Sequence, residues 1–127
     1  MPTLADLFGT VPQDRLALFE DDTVKYESVK ELLSFNNEDV STAVGVAPTS
    51  VRYDAKMPAQ LQERLKEWAT LLNLVATHFD GDAKKTALWF TMPNPLLGNI
   101  APRIMIRHGR FKKLLRFVLN ALAENRR

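Results

Sequence analysis

"TMPNPLLGNIAPRIMI", Thr91–Ile106, is the stretch that decides how this chain is read. Pro93 and Pro95 hold the residues before them in extended backbone, which ends any helix arriving from upstream. Gly98 and Asn99 suit a turn that needs positive φ. Yet leucine and isoleucine fill the remaining places. A solvated loop has no use for that many apolar side chains, so this loop is expected to fold its leucines onto a core. It then joins the helices on either side in one fixed pose.

Both flanks read as helix. Upstream, Asp82 can cap a helix from Ala83 to about Phe90, with Leu88, Trp89 and Phe90 near its end. Downstream, Pro102–Arg107 reads as a short helix with proline in its first turn. Gly109 interrupts it. Arg110–Leu122 forms the last helix, with Leu114, Leu115, Val118, Leu119 and Leu122 on its apolar face. Further upstream, Pro58 opens a long helix. Leu61, Leu65, Trp68, Leu72 and Val75 recur at three and four, and Leu71 and Leu74 widen the stripe. "HFDGD", His78–Asp82, holds its stop.

Three shorter helices are expected before it. Ser28 can cap one through Leu33, with Glu31 as capping-box partner. Asn36 or Asn37 can cap Glu38–Val44, which Gly45 ends. Pro48 to about Asp54 reads as the third. In residues 1–24, Leu4, Leu7 and Phe8, and again Leu16, Leu18 and Phe19, could form apolar turns, but Glu20, Asp21 and Asp22 break the pattern. A loosely attached arm with one short helix is expected there. Strand patterns are almost absent, so the fold class is all-α. The divisions are an arm at 1–27, a helix-turn-helix unit at 28–76 and a C-terminal unit at 77–127.

The 127 residues are 46% hydrophobic, enough for one core or for two small helical units sharing one. No cysteine is present, which excludes disulfides and thiolate zinc sites and fits the reducing cytoplasm. No secretory signal pattern opens the chain. The net charge of +2 hides an uneven layout: residues 1–27 carry two basic and six acidic groups, while residues 101–127 carry eight basic and one acidic. The C-terminal segment therefore attracts anions, whether nucleic acid or an acidic partner.

"EDVSTAVGVAPTSVRYDAK" has the makings of a helix-turn-helix. Gly45 supplies the turn, Val40 and Val44 face inward, Ser41 is small where the helices cross, Val46 plugs the turn and Val51 anchors the second helix. Thr49, Ser50, Arg52 and Tyr53, with Lys56 beyond, would then be the DNA-facing side chains. Asp54 stands where an apolar residue is commoner, and it would repel a phosphate.

"GDAKKTALWFTMPNPLLGNIAPRIMI" resembles the C-terminal toxin-binding domain of the MbcA/ParS/Xre antitoxin family. Trp89 and Phe90 match the family's aromatic–apolar pair. Asn94, Pro95, Leu97 and Gly98 match its central element, and Pro102, Ile104 and Ile106 its proline and apolar helix positions. Met92 before Pro93 and the basic "RIMIRHGRFKKLL" depart from the pattern. The resemblance covers roughly residues 28–122. It implies an N-terminal Xre-like helix-turn-helix unit packed with a small C-terminal helical toxin-binding domain. It also implies a cytoplasmic antitoxin that neutralises a cognate NAD-consuming or ADP-ribosylating toxin by direct contact. Such a protein represses its own operon by binding double-stranded DNA as a homodimer or higher oligomer. On this reading Asn94, Leu96, Leu97, Gly98, Arg103, Met105, Arg107 and Arg110 face the toxin.

Enzyme chemistry is not expected. His78 and His108 are the only histidines, and without cysteine they leave little material for a nucleophile–base pair or a metal site. No cofactor motif occurs: "GRFKK" lacks the spacing of a phosphate loop. Trp68, Trp89 and Phe90 are expected in the core, and Phe111 and Phe117 there or at a dimer seam. The rival reading is a solitary protein-interaction or dimerisation module that does not read DNA sequence.

Overall fold

A computed structural model describes residues 12–21 and 23–124. Six α-helices account for most of them: α1 (Tyr26–Leu33), α2 (Asn37–Val44), α3 (Ala59–His78), α4 (Ala83–Thr91), α5 (Pro102–Arg107) and α6 (Phe111–Glu124). Two single-turn 3-10 helices, Pro48–Ser50 and Pro95–Leu97, punctuate the chain. The only strands among the described residues are β1 (Phe19–Glu20) and β2 (Thr23–Val24), an antiparallel pair with Phe19 opposite Val24. The all-α reading holds at the level of class.

Local chemistry sets several helix ends. Asn36 caps α2 through a full capping box: its side chain accepts from the Asp39 N–H, and the Asp39 carboxylate accepts from the Asn36 N–H. Gly45 closes that helix at φ +83°. Asp82 caps α4 by accepting from the Lys85 N–H. Ser28 does not cap α1, which starts two residues earlier, at Tyr26. The chain turns directly from β2 into the helix, and Lys25 takes the cap position without a side-chain bond.

The third expected helix shrinks to one turn. Pro48–Ser50 is 3-10, and Val51 has already left helical geometry at ψ 94°. Three local effects explain it. Val51 is β-branched. The Asp54 carboxylate accepts from the Lys56 N–H, an alternative to the helical ladder. Arg52 donates to the same carboxylate across two residues, a spacing that keeps this segment out of a helix.

α3, 20 residues long, is the axle of the fold. Its expected stripe is buried, and so are Ala69, Thr70, Leu71, Asn73 and Ala76, so that its central turns are covered on every side. α1 packs on α3 and α4; α2 packs on α3 and α5; α6 packs on α3 and α5. One hydrophobic cluster runs from Leu18 to Val118. Phe90 is fully buried, and Trp68 meets Phe35 edge-on at 5.7 Å. Trp89 is half-buried at the rim, as is Phe117, whereas Phe111 is buried.

The expectation of a loose arm is corrected for residues 12–21, 23 and 24; Leu4, Leu7 and Phe8 lie outside the described residues. Leu18 is 1% exposed and belongs to the core. Asn73, equally buried on α3, accepts from the Leu16 N–H at 3.0 Å and donates to Asp14 at 2.9 Å. Asp14 in turn accepts from the N–H groups of Leu18 and Phe19. No helix among the described residues is long and apolar enough to cross a membrane.

Candidate functional site: the proline-rich loop and its surroundings

The loop is built by its asparagines. The Asn94 side chain accepts from the Leu96 N–H and starts the 3-10 turn Pro95–Leu97. Its backbone carbonyl accepts from the Leu97 and Asn99 N–H groups, and its N–H donates to Ile100, so the loop's two ends are zipped together. Gly98 and Asn99 take positive φ, 73° and 64°. Neighbouring φ values of this sign are what let so short a loop reverse.

Rigidity has a consequence at the surface. Leu97 turns onto the core, but Leu96 is thrust outward and is 79% exposed. Leu88, Met92 and Ile100 are also exposed, and together with Leu96 they are all the large hydrophobic side chains that the described residues leave exposed. Every one of them falls between the end of α4 and the end of the loop. Leu88 and Met92 are four apart, and the Met92 N–H donates to the Leu88 carbonyl, so they share a face. Leu88, Met92 and Ile100 carried no site assignment in the sequence, because a helical stripe does not say which of its edges the rest of the protein covers.

The remaining residues proposed for toxin contact divide. Met105, at 5% exposure, belongs to the buried face of α5, beside Ile106 and Pro102. Met105 lies three residues after Pro102 and so shares the face that turns to the core, while Arg103, Ile104 and Arg107 take the outer one. Arg103 reaches back to α1, donating to the Ser34 carbonyl at 3.4 Å and lying 5.9 Å from the Phe35 ring centre. Arg107 comes within 3.0 Å of the Asp39 carboxylate. Its Nε lies off the hydrogen-bond axis and finds no bonding partner, so the contact is one of charge only. Both arginines therefore fasten α5 to the α1–α2 corner. Arg110 is exposed.

Residues proposed for DNA contact sit on the 3-10 turn and the extended segment after it. Thr49 is exposed and Ser50 half-buried. Arg52 is held in a 2.6 Å ion pair with Asp54, which raises the guanidinium pKa and lowers that of the carboxyl. Tyr53 stacks flat on Tyr26, donates to Asn37 at 3.0 Å and lies 5.0 Å from the Lys30 ammonium. Burial, with Tyr26 adding to it, pushes the Tyr53 phenol up to about 12. Lys56 is exposed. No helix presents these five side chains together. On α2 and the turn after it, Val40 and Val44 are buried, and the Ser41 hydroxyl donates to the Val46 carbonyl at 2.6 Å, sealing the turn.

His78 ends α3 edge-on to Phe79, and His108 ends α5; both are exposed and far apart in the chain. Among the described residues no group of three or more acidic or histidine side chains could hold a metal ion.

Compared with known proteins, the chain matches no family model, no curated protein and no solved structure.

Proposed function

We propose that this chain is an antitoxin-type binding protein whose working surface is the apolar patch of Leu88, Met92, Leu96 and Ile100. One observation carries the reading. The large exposed hydrophobic side chains of the described residues gather on the motif that resembles the family's toxin-binding element. Exposing a leucine on a rigid turn forgoes roughly 1.5–3 kcal/mol of burial, a cost offset when a partner covers it. Neutralisation then follows from occlusion: the loop seats in a cleft of an NAD-consuming or ADP-ribosylating toxin and denies it substrate.

The experiment is co-expression with a toxin of the NAD-consuming or ADP-ribosylating class, the first choice being any small toxin-like reading frame found beside the gene. Rescue of growth and co-purification are expected. Leu96→Asp and Met92→Asp should each abolish both while leaving the thermal unfolding midpoint unchanged. Wild-type rescue by Leu96→Asp would sink the proposal.

A second reading, operator binding, is favoured by the sealed α2–Gly45 turn, which has the form of the first half of a helix-turn-helix. Fluorescence anisotropy on the gene's own upstream duplex tests it. Tighter binding to that duplex than to a scrambled one, lost in Arg52→Ala, supports operator reading. Equal binding to both, collapsing with salt, assigns the attraction to charge alone.

A further inference from the structure

A second surface has nothing to do with the loop. Between the end of α2, the first half of α3 and the turn into α6 lies an open cleft of about 490 Å³. The largely buried side chains of Val44, Trp68 and Ile106 form its floor. Its rim is basic. Arg110, Lys112 and Lys113 are exposed and form no ion pair among the described residues, whereas Arg64 faces Glu63 and Glu67. Glu67, the one acid lining the cleft, already faces Arg64 and leaves the other three rim cations to an occupant of the cleft. An acidic occupant with an apolar flank would suit it.

This chain carries such a segment. The turn of the β1–β2 hairpin presents Glu20 and Asp21, both exposed and without an ion pair among the described residues, and the half-buried Phe19 precedes them. The two surfaces face apart. β2 packs on the side of α3 that carries Leu65 and Lys66, while Arg64, Glu67 and Trp68 line the cleft on the other side. One copy therefore does not reach its own cleft with its own hairpin, and a two-fold pair does not engage both contacts at once.

We propose that the chain assembles head to tail, the acidic hairpin of one copy docking in the basic cleft between α3 and α6 of the next. Contacts of this kind do not use themselves up in a dimer; they build rings or open chains. Because the matched charges sit at an exposed rim, salt weakens them.

Sedimentation velocity on the full chain tests this. Wild-type protein at about 50 mM salt is expected to grow beyond dimer as concentration rises. At about 500 mM salt the apparent dissociation constant should rise roughly tenfold or more. The double variants Glu20→Lys/Asp21→Lys and Lys112→Glu/Lys113→Glu should each stay monomeric. Mixed in equal amounts they pair an intact hairpin with an intact cleft and a charge-reversed hairpin with a charge-reversed cleft, and should assemble beyond dimer again. Lys84→Glu/Lys85→Glu, the same charge change on exposed α4 residues, should assemble as wild type does. Circular dichroism confirms that each variant is folded. A wild type that stays monomeric, or a salt-insensitive dimer, overturns the proposal. So does assembly that survives either hairpin or cleft reversal, or a mixture that fails to pair. Failure of toxin binding at Leu96 would leave these outcomes unaffected.

Discussion

Tyr26 and Tyr53 stack with ring centres 4.1 Å apart and planes 7° from parallel. Tyr26 begins α1, whereas Tyr53 lies in the extended segment between the 3-10 turn and α3. The stack draws a side chain that could have faced DNA onto the protein's own surface, and it closes the corner where Lys30 and Asn37 also meet.

Removing that ring should therefore be felt as lost stability. Tyr53→Ala is expected to cost about 2 kcal/mol in urea denaturation, from lost area and the ring pair. Tyr53→Phe keeps the stack and loses only the bond to Asn37, about 1 kcal/mol or less. The pH response has a definite sign. A phenol raised to about 12 from 10.0 stays protonated in the fold where the unfolded chain ionises. Its contribution is complete below pH 10 and is lost as pH rises from there through about 12. Tyr53→Phe should flatten that alkaline slope; an unchanged slope would refute the assignment.

Asp14 is the clasp of the N-terminal segment. Burial alone would raise its pKa, but the bonds from Leu18, Asn73 and Phe19, aided by Lys25, outweigh it and the value is lowered. Asp14→Ala strands the buried Asn73 amide and should cost about 1–2 kcal/mol. Because the folded pKa lies below the ordinary 3.8, the carboxylate's contribution is present at higher pH. It disappears as pH falls below that value. The stability gap between wild type and Asp14→Asn should narrow in the same acid range. A gap independent of pH would show that the carboxylate's charge is not what holds the segment.

Asp39 serves two elements at once. One carboxylate oxygen completes the α2 capping box, and the other faces Arg107 on α5. Asp39→Ala should lower stability by about 1–2 kcal/mol, the cost of a lost cap with an added charge contact. Arg107→Ala alone should cost less than about 1 kcal/mol, since that contact is misaligned. Thermal denaturation of both variants separates the two contributions; equal losses would mean that the cap contributes little.

At Gly45 the backbone needs φ +83°, and a Cβ there would meet nothing within 4 Å. The cost of Gly45→Ala is then backbone strain without a clash, about 1–2 kcal/mol. Gly45→Asn should cost less, because asparagine tolerates the left-handed region. Denaturant midpoints in the reverse order would point to a packing role for the missing side chain.

Much of the fold was readable because the deciding interactions are short-range. Asn36, Asp82 and Asn94 bond N–H groups two or three residues away, and Gly45 and Gly98 accept φ values that other residues resist. Such signals need no knowledge of the rest of the chain. The stripe from Leu61 to Val75 likewise announces a helix, since a 3.6-residue period repeats within the segment itself.

The sequence by itself thus determined the all-α class, the caps of α2 and α4, the proline-rich turn and the central helix. Only the tertiary structure decided where side chains with two options went. Leu16 and Asp14 dock on Asn73 from more than 50 residues away. Tyr53 leaves the helical path to meet Tyr26, Met105 is buried while Leu96 is left outside, and Arg103 and Arg107 are spent inside the molecule. Each choice depends on which surface arrives opposite, and that is a property of long-range packing, which local spacing does not encode.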